Sequence, residues 1–368
     1  RDKAVFQADK PVTIWGSTHQ HGEWQSEPEK GDCKVHFEFG DIKKTINVTP
    51  EMAEWKVTLP PMKAGPKPHT LKVHFTIDGE MVHKRVVEGI IFGDVWCVVA
   101  PALTNKTKFK IPEVKPSGQI VRMIQNQSNR DGRAEPSRFS MCTSRTPLNR
   151  LAAYWKDAEG MAAALGNSIS AKTGRPVGII FLQAKKDIPL KNWIAPSFLK
   201  DTPTLMPDYK TIGSQYFDNP YYLANVQRYI GDWKKYWGEN IPAMMQTKAV
   251  PDGSSWGQLP SPKPDIGDST ATFEYNVYMH CLTPTAMSGI VFLTGESMVA
   301  DDQGANFGPE MSVLANSFKS RFSLWEKGVD IPFYYSIPNK ALAPKLTQPK
   351  GCLLYTSPSP RDSCIHLV

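Results

Sequence analysis

The feature that most constrains the fold is a set of short, mainly apolar runs separated by amphipathic segments after Gly93. The runs lie at Val95–Val99, Val177–Leu182, Ile290–Leu293 and Ile331–Tyr335. Strands that are apolar throughout, with helices between them, are typical of a parallel sheet covered on both faces. We therefore predict an α/β domain in which these four runs are parallel strands of one sheet, with a ligand site at their carboxyl ends.

Three amphipathic helices are predicted between these strands. The first begins at Thr146–Pro147, a capping hydroxyl followed by proline, and ends at Gly166. The second begins at Asn219–Pro220 and stops near Gly238. Their apolar positions recur at three- and four-residue steps: Leu148, Leu151, Trp155, Ala158, Met161 and Leu165 in the first, Leu223, Val226, Ile230, Trp233 and Trp237 in the second, and Met311, Leu314, Phe318, Phe322 and Trp325 in the third.

The first 90 residues have a different pattern. Apolar and polar residues alternate along Val12–Gly16, Lys34–Gly40 and Thr70–Thr76, and Pro, Gly and Asp separate these stretches. This pattern predicts a small antiparallel β-sandwich with one face of each sheet buried. We thus expect an N-terminal sandwich domain over 1–90 and an α/β domain over 91–351, with a Pro-rich insertion near 240–270.

The end of the chain differs from the rest. Residues 352–362 read CLLYTSPSPRD, which is the in-frame translation of a transposase sequencing adapter, and His366, Leu367 and Val368 fit its continuation. We interpret 352–368 as an adapter-derived tail and expect it to lack secondary structure and a buried core. A genuine Pro/Ser-rich tail is the alternative.

Composition and charge exclude several classes of function. The net charge of +7 comes from Lys and Arg scattered among acids, whereas a nucleic-acid binder clusters its cations. The apolar runs are too short to span a bilayer. Outside the tail the cysteines are Cys33, Cys97, Cys142 and Cys281, without a CxxC pair. They suit buried thiols, with one disulfide possible, and neither a metal nor another cofactor is expected.

Several motifs occur in an order that a known family shares. They are Val5–Gly16, Trp55–Gly65, Ile91–Trp96, Gly174–Ile180, Tyr275–Asn276 and Gly295–Ser297. Together they resemble the sialate O-acetylesterases, SGNH-type carbohydrate esterases, across nearly all of residues 5–340. The resemblance implies a flavodoxin-like α/β domain behind a β-sandwich, an O-acetylated sugar or glycan as the partner, and a location outside the cytoplasm.

The chain departs from that family where the chemistry is done. The resemblance places the nucleophilic serine at Ala102, and the preceding Gly and Gln are Ala100 and Pro101. An alanine methyl cannot attack a carbonyl, and proline offers no N–H to an oxyanion. Lys185–Asp187 replaces a double-glycine block. The family's C-terminal Asp/His segment is absent, and we attribute this to the adapter tail.

Gly295, Glu296 and Ser297 persist from the family's third catalytic block, and the resemblance implies substrate-binding roles for Asn276 and Trp193. The sequence therefore predicts a carbohydrate O-acetylesterase relative that is weak or inactive. Two alternatives remain: a non-catalytic carbohydrate-binding or cell-surface interaction protein, and an active esterase whose nucleophile has moved to Ser297 or Ser140.

Other candidate residues have simpler explanations. His280 is the single histidine of residues 101–351, and core packing against Tyr278 and Cys281 is favoured over a role as base. His19 and His21 are best explained by a solvated loop, and Asp301 with Asp302 by a polar turn. Lys185 and Lys186 are best explained as a solvated pair. The aromatic cluster Tyr221, Tyr222, Trp233, Tyr236 and Trp237 could stack on sugar rings, although its helical spacing predicts that much of it is core.

Overall fold

The computed structural model describes residues 1–17, 31–48, 54–101, 113–126, 154–184, 188–213, 220–247, 271–295, 298–299, 304–323, 331–336 and 353–354. Ala102, Lys185–Asp187, Glu296, Ser297, Ser140, His19, His21 and Asp301–Asp302 lie outside these residues, as does the adapter-like sequence apart from Leu353 and Leu354.

The described chain contains thirteen strands and five α-helices. The strands are β1 (Val5–Gln7), β2 (Val12–Ser17), β3 (Cys33–Phe39), β4 (Ile42–Val48), β5 (Glu54–Leu59), β6 (Gly65–Ile77), β7 (Glu80–Ala100), β8 (Val121–Gln125), β9 (Lys156–Asp157), β10 (Val177–Gln183), β11 (Gly289–Phe292), β12 (Phe333–Tyr335) and β13 (Leu353–Leu354). The α-helices are α1 (Gly160–Thr173), α2 (Met206–Gly213), α3 (Pro220–Lys235), α4 (Ile241–Thr247) and α5 (Phe307–Phe322). Short 3-10 and π segments lie at Leu190–Trp193, Pro196–Asp201, Pro203–Leu205, Tyr236–Asn240, Tyr275–Met279 and His280–Leu282.

The central sheet has the strand order β13-β12-β11-β7-β10-β8-β9. All pairings from β13 to β8 are parallel, and only β9 at one edge is antiparallel. The four apolar runs become β7, β10, β11 and β12, so the prediction that they share one parallel sheet is confirmed. Their side chains are buried because helices and loops cover both faces, as the continuous apolar runs require.

The N-terminal strands pair antiparallel, as their alternating pattern predicts. β3 lies between β4 and β6, and the other edge of β6 pairs with the first half of β7. A separate two-stranded sheet joins β2 to β5. Val35, Phe37 and Phe39 of β3 and Val57 and Leu59 of β5 are buried in one apolar cluster. The sandwich and the domain boundaries stay predictions.

β7 connects the N-terminal strands to the central sheet without a break. This 21-residue strand pairs with β6 in its first half and with β10 and β11 in its second half. β1 also joins it, in a parallel register from Val5 with Ile91 to Gln7 with Gly93. One continuous backbone therefore runs through the position where the sequence predicts a change of domain.

The prediction for the first helix is wrong in part. Residues 156–157, expected to be helical, form β9, and α1 runs from Gly160 past Gly166 to Thr173. Gly166 does not end the helix. A Cβ at this position would lie 2.4 Å from Cγ1 of Val121, so glycine allows α1 to pack closely on β8. The helix ends at Gly174 instead, which has a φ of 68° and whose N–H donates to the carbonyl of Ser170.

The second helix begins at Pro220 as predicted, and the third is found where its apolar positions place it. In the second, α3, the helical path continues through the π segment into α4, so Gly238 does not terminate it, and the first residues of the expected Pro-rich insertion, up to Thr247, are helical. Its stripe of Leu223, Ile230, Trp233 and Trp237 is between 41% and 51% exposed, whereas Tyr222 and Tyr236 are buried. α5 buries Met311, Leu314, Phe318 and Phe322 as predicted.

The expected absence of secondary structure in the tail is wrong at two residues. Leu353 and Leu354 form β13, which pairs in parallel with Tyr334 and Tyr335 of β12. Without β13, β12 would be an open edge, and two apolar residues can satisfy its N–H and C=O groups whatever their origin. The adapter origin of the tail therefore stays a prediction.

Candidate functional site

The carboxyl ends of the parallel strands form one edge of the central sheet, which we call the carboxyl edge. Here the N–H of Ala184 donates to the carbonyl of Ala100 at 3.0 Å, and the N–H of Leu293 donates to that of Val99 at 2.8 Å. Ala100 is fully buried, and the buried Pro101 follows it. The segments that leave β7, β10 and β11 are thus held side by side where open α/β sheets place their ligands.

Asn126 closes this edge beside β10. Its side-chain Nδ2 donates to the carbonyl of Gln183 at 2.7 Å, and its Oδ1 accepts the N–H of Gln183 at 2.9 Å. Both polar atoms of the amide are therefore used to extend the β8–β10 pairing by one residue. Sequence reasoning missed β8 and Asn126, because Arg122 interrupts an otherwise apolar run.

Thr294 and Ser336 close the same edge beside β11. The N–H of Thr294 donates to Oγ of Ser336 at 2.9 Å, and the Thr294 hydroxyl donates to the Ser336 carbonyl. Among the described residues, neither hydroxyl bonds to a histidine or a carboxylate, the groups that activate a nucleophilic serine. The pair fixes the backbone just before Gly295.

Gly295 is buried at the carboxyl edge, two residues after Leu293. Its N–H lies 3.5 Å from Sδ of Met298. Glu296 and Ser297, which follow it, and Ala102, which follows Pro101, are outside the described residues. The structure therefore places the ends of β7 and β11, which precede Ala102 and Gly295, side by side. The roles of Ala102, Gly295, Glu296 and Ser297 stay predictions.

Trp193 and Asn276 lie in the core. The Trp193 ring is 0% exposed and packs edge-to-face against Phe292 of β11 and parallel to Tyr278. Its indole N–H has no hydrogen-bond partner among the described residues. Asn276 is 6% exposed, and its Nδ2 lies 3.4 Å from the hydroxyl of Thr272. A ligand could reach either side chain only if the covering residues moved, and the substrate-binding roles stay predictions.

His280 is buried, and its ring lies 6.0 Å from that of Tyr275, centroid to centroid. The aromatic cluster divides into two groups: Tyr222 and Tyr236 face the core, and Trp233 and Trp237 lie on the exposed side of the helix. The buried Cys97 thiol has its pKa raised to about 12 by desolvation, so it is protonated and unreactive at neutral pH.

Two of the family-like motifs meet at the opposite, amino end of the sheet. A Cβ at Gly93 would lie 2.2 Å from the carbonyl oxygen of Pro176, and the N–H of Asp94 donates to that oxygen at 2.9 Å. Arg175 forms ion pairs with Asp9 at 2.7 Å and Asp94 at 3.5 Å. These contacts join the N-terminal segment to β7 and β10. At this end the motifs therefore hold the N-terminal segment against the central sheet.

The described residues contain no group of three or more His, Cys, Asp or Glu side chains that could hold a metal ion. Within the same residues, no helix is both long enough and apolar enough to cross a membrane.

No family model matches the chain, and no curated protein matches it. Among solved structures, the chain is similar to a carbohydrate acetylesterase from Xanthomonas citri, with a TM-score of 0.49 and 16% identity. The match covers 91% of this chain and 58% of the Xanthomonas protein. A similarity at this level transfers neither the fold nor the activity to this chain.

Proposed function

We propose that this chain is a relative of the carbohydrate O-acetylesterases that binds an O-acetylated sugar and hydrolyses its ester weakly or not at all. The observation that carries the proposal is the carboxyl edge, where the buried Ala100–Pro101 leads directly to Ala102. Leu293 and Ala184 are hydrogen-bonded to β7 at the same point. An O-acetylated glycan outside the cytoplasm is the substrate class that the family resemblance suggests.

The residues at this edge explain the expected loss of catalysis. Ala102 supplies no nucleophile, and Pro101 supplies no N–H for a developing oxyanion. The polar groups of Thr294 and Ser336 are hydrogen-bonded to each other. Loss of the nucleophile in a Ser–His hydrolase leaves only binding and oxyanion contacts, orders of magnitude below the parent rate. Since the oxyanion donors have changed as well, we expect a rate barely above background.

The test combines a rate with a binding measurement. Hydrolysis of an activated acetyl ester is measured for the parent protein, Ala102→Ser and Ser297→Ala, and all three are screened on arrays of acetylated and de-acetylated glycans. We expect near-background rates throughout and glycan retention that depends on the acetyl group. Ala102→Ser alone should not restore activity, because Pro101 and Lys185–Asp187 remain.

Ser168→Ala is the matched control, since among the described residues the Ser168 hydroxyl bonds only the carbonyl of Ala164 within α1. Strong parental turnover that is lost in Ser297→Ala but kept in Ser168→Ala would instead establish a relocated nucleophile. No glycan binding together with no turnover would favour the interaction protein without a sugar site and reject the proposal.

A further inference from the structure

The sheet of β4, β3, β6 and β7 has an outward side on which most side chains are polar and at least partly exposed. Along β3, Val35, Phe37 and Phe39 are buried, and the residues that alternate with them face outward. Strand register places partners from the neighbouring strands beside these residues. We call this surface the basic face; its residues are Lys34, His36, Glu38, Lys43, Thr45, Asn47, Lys72, His74, Thr76, Lys84 and Val86.

Positive charge exceeds negative charge on the basic face. Lys34 pairs with Asp32, and Lys72 pairs with Glu38 at 3.0 Å. Lys43 and Lys84 are exposed and have no ion-pair partner among the residues that the structure describes. They lie on the two outer strands, three strand spacings or about 14 Å apart across the sheet. These two cations therefore flank the width of the face, and Lys43 lies opposite Glu38, whose pKa is lowered chiefly by Lys72 and also by Lys43.

Two stacked histidines occupy the middle of this face. The His36 and His74 ring centroids are 4.6 Å apart, with 15° between the ring planes. Nδ1 of His36 lies 3.2 Å from the Thr45 hydroxyl, and Nε2 lies 3.1 Å from the Thr76 hydroxyl. A hydroxyl can donate or accept, so these contacts hold His36 in either protonation state.

The histidine pair already experiences positive charge. The His74 pKa is lowered from its ordinary value by desolvation, then by His36 and Lys84, and Glu38 opposes the shift. A bound anion would oppose the same shift, so anion binding and proton uptake favour each other. The charged groups that face the pair are Lys34 and Glu38 on β3, Lys43 on β4, Lys72 on β6 and Lys84 on β7.

We propose that the basic face binds a carboxylate-bearing polysaccharide and that the stacked pair His36 and His74 strengthens this binding as the pH falls. Lys43 and Lys84 meet the carboxylates of the polysaccharide, and the hydroxyl of Thr45 and the amide of Asn47 can bond its hydroxyl groups. The surface is remote from ester chemistry at the carboxyl edge, so the proposal does not depend on the proposed function.

The residues of the face favour a polysaccharide over other polyanions. Sequence-tolerant binding of single-stranded nucleic acid uses aromatic side chains on which bases stack, and the basic face contains no Phe, Tyr or Trp. A helical element or ribbon is needed to enter the major groove of DNA, whereas this surface is the side of a sheet. A long chain of sugar carboxylates can lie across such a surface.

The experiment measures binding of an alginate oligosaccharide by fluorescence anisotropy, with dextran of the same length as the neutral probe. We expect Lys43→Gln/Lys84→Gln to weaken alginate binding roughly threefold to tenfold, as two exposed charge pairs do. The matched control is Lys115→Gln/Lys200→Gln, which removes the same charge from exposed positions outside the sheet. It should bind as the parent does.

The pH dependence is tested with His36→Gln/His74→Gln. The parent should bind alginate more tightly at about pH 5.5 than at about pH 7.5, and the double variant should lose this difference while keeping the parent's affinity at the higher pH. Circular dichroism checks that each variant is folded. If His36→Gln/His74→Gln is not folded, His74→Gln alone replaces it, because Thr45 and Thr76 still hold His36 in that variant.

Equal weakening in both lysine pairs, no alginate binding, or equal binding of dextran would overturn the proposal. Tighter binding of a single-stranded oligonucleotide or of anionic phospholipid vesicles than of alginate, at matched charge, would also overturn it. We expect these variants to keep the acetyl-dependent glycan retention of the parent, so failure here is distinct from failure of the proposed function.

Discussion

Replacing Gly93 with alanine should destabilise the protein at the amino end of the central sheet. The added Cβ would lie 2.2 Å from the Pro176 carbonyl oxygen and 2.7 Å from its carbonyl carbon. Both are backbone atoms, so no side-chain rotation can relieve the contact. β7 and the segment before β10 must separate by about 1 Å to reach ordinary van der Waals distance.

The cost follows from the contacts that this separation would weaken. Overpacking a filled site costs about 1–3 kcal/mol. Weakening the hydrogen bond from the Asp94 N–H to the Pro176 carbonyl adds about 1 kcal/mol. The ion pairs of Arg175 add little, because that side chain is 40% exposed. We expect Gly93→Ala to lower the free energy of unfolding by about 2–4 kcal/mol, measured by urea denaturation.

Gly65→Ala is the matched control. Gly65 is also in a strand, and an added Cβ would meet nothing within 4 Å. Its midpoint should stay near that of the parent, since strand residues prefer a side chain. If Gly93→Ala unfolded at the same urea concentration as Gly65→Ala, the close approach of Gly93 to Pro176 would carry no energetic weight and the reasoning would be refuted.

Two further predictions concern titration. The His74 pKa is lowered in the folded protein by desolvation, His36 and Lys84. The free energy of unfolding is therefore highest above the ordinary histidine pKa of about 6.5. It decreases as the pH falls from there towards the lower pKa of the folded state. Thermal melts between about pH 7.5 and pH 5 should show a smaller decrease for His74→Gln, and an identical decrease would contradict this. Burial raises the Cys97 pKa to about 12. Iodoacetamide should therefore leave the Cys97 peptide unlabelled in the folded protein and label it in urea, as measured by mass spectrometry. Labelling of the folded protein would show that the thiol is accessible.

Periodicity predicted the central sheet well because burial on both faces leaves a direct trace in the sequence. Val177–Leu182 and Ile290–Leu293 are apolar without interruption, and they became β10 and β11. β8 was missed because Arg122 interrupts its apolar residues. The Arg122 guanidinium is used by the backbone, donating to the carbonyls of Lys3 and Gly89 at 2.8 Å. No rule of alternation predicts such a long-range contact.

Glycine was the least informative residue type in the sequence. Gly166 follows the apolar Leu165 and Gly174 follows Thr173, but only Gly174 adopts the left-handed conformation that ends a helix. Only glycine fits at position 166, because Val121 lies against it. Gly295 lies at the carboxyl edge where the strand pattern placed it, and its role stays a prediction. The hydrogen bonds of Asn126 and Thr294 depend on strand register and could not be read from the sequence.

The continuity of β7 has a consequence for how the molecule can be divided. A cut at residue 90 would leave the pairing with β6 nearly complete in the first fragment, but it would separate β1 in that fragment from its partners at 91–93. The other fragment would begin inside the strand on which β10 and β11 assemble. Hinge motion requires a few residues whose backbone is free to rotate. The β6–β7 register shifts at Glu88 and Gly89, but both carbonyls are held there, Glu88 by the N–H of Lys3 at 2.7 Å and Gly89 by Arg122 at 2.8 Å. Neither part is therefore expected to be expressible alone, and a circular permutation that opens the chain within Glu80–Ala100 should fail where one opened at Asp78–Gly79 succeeds.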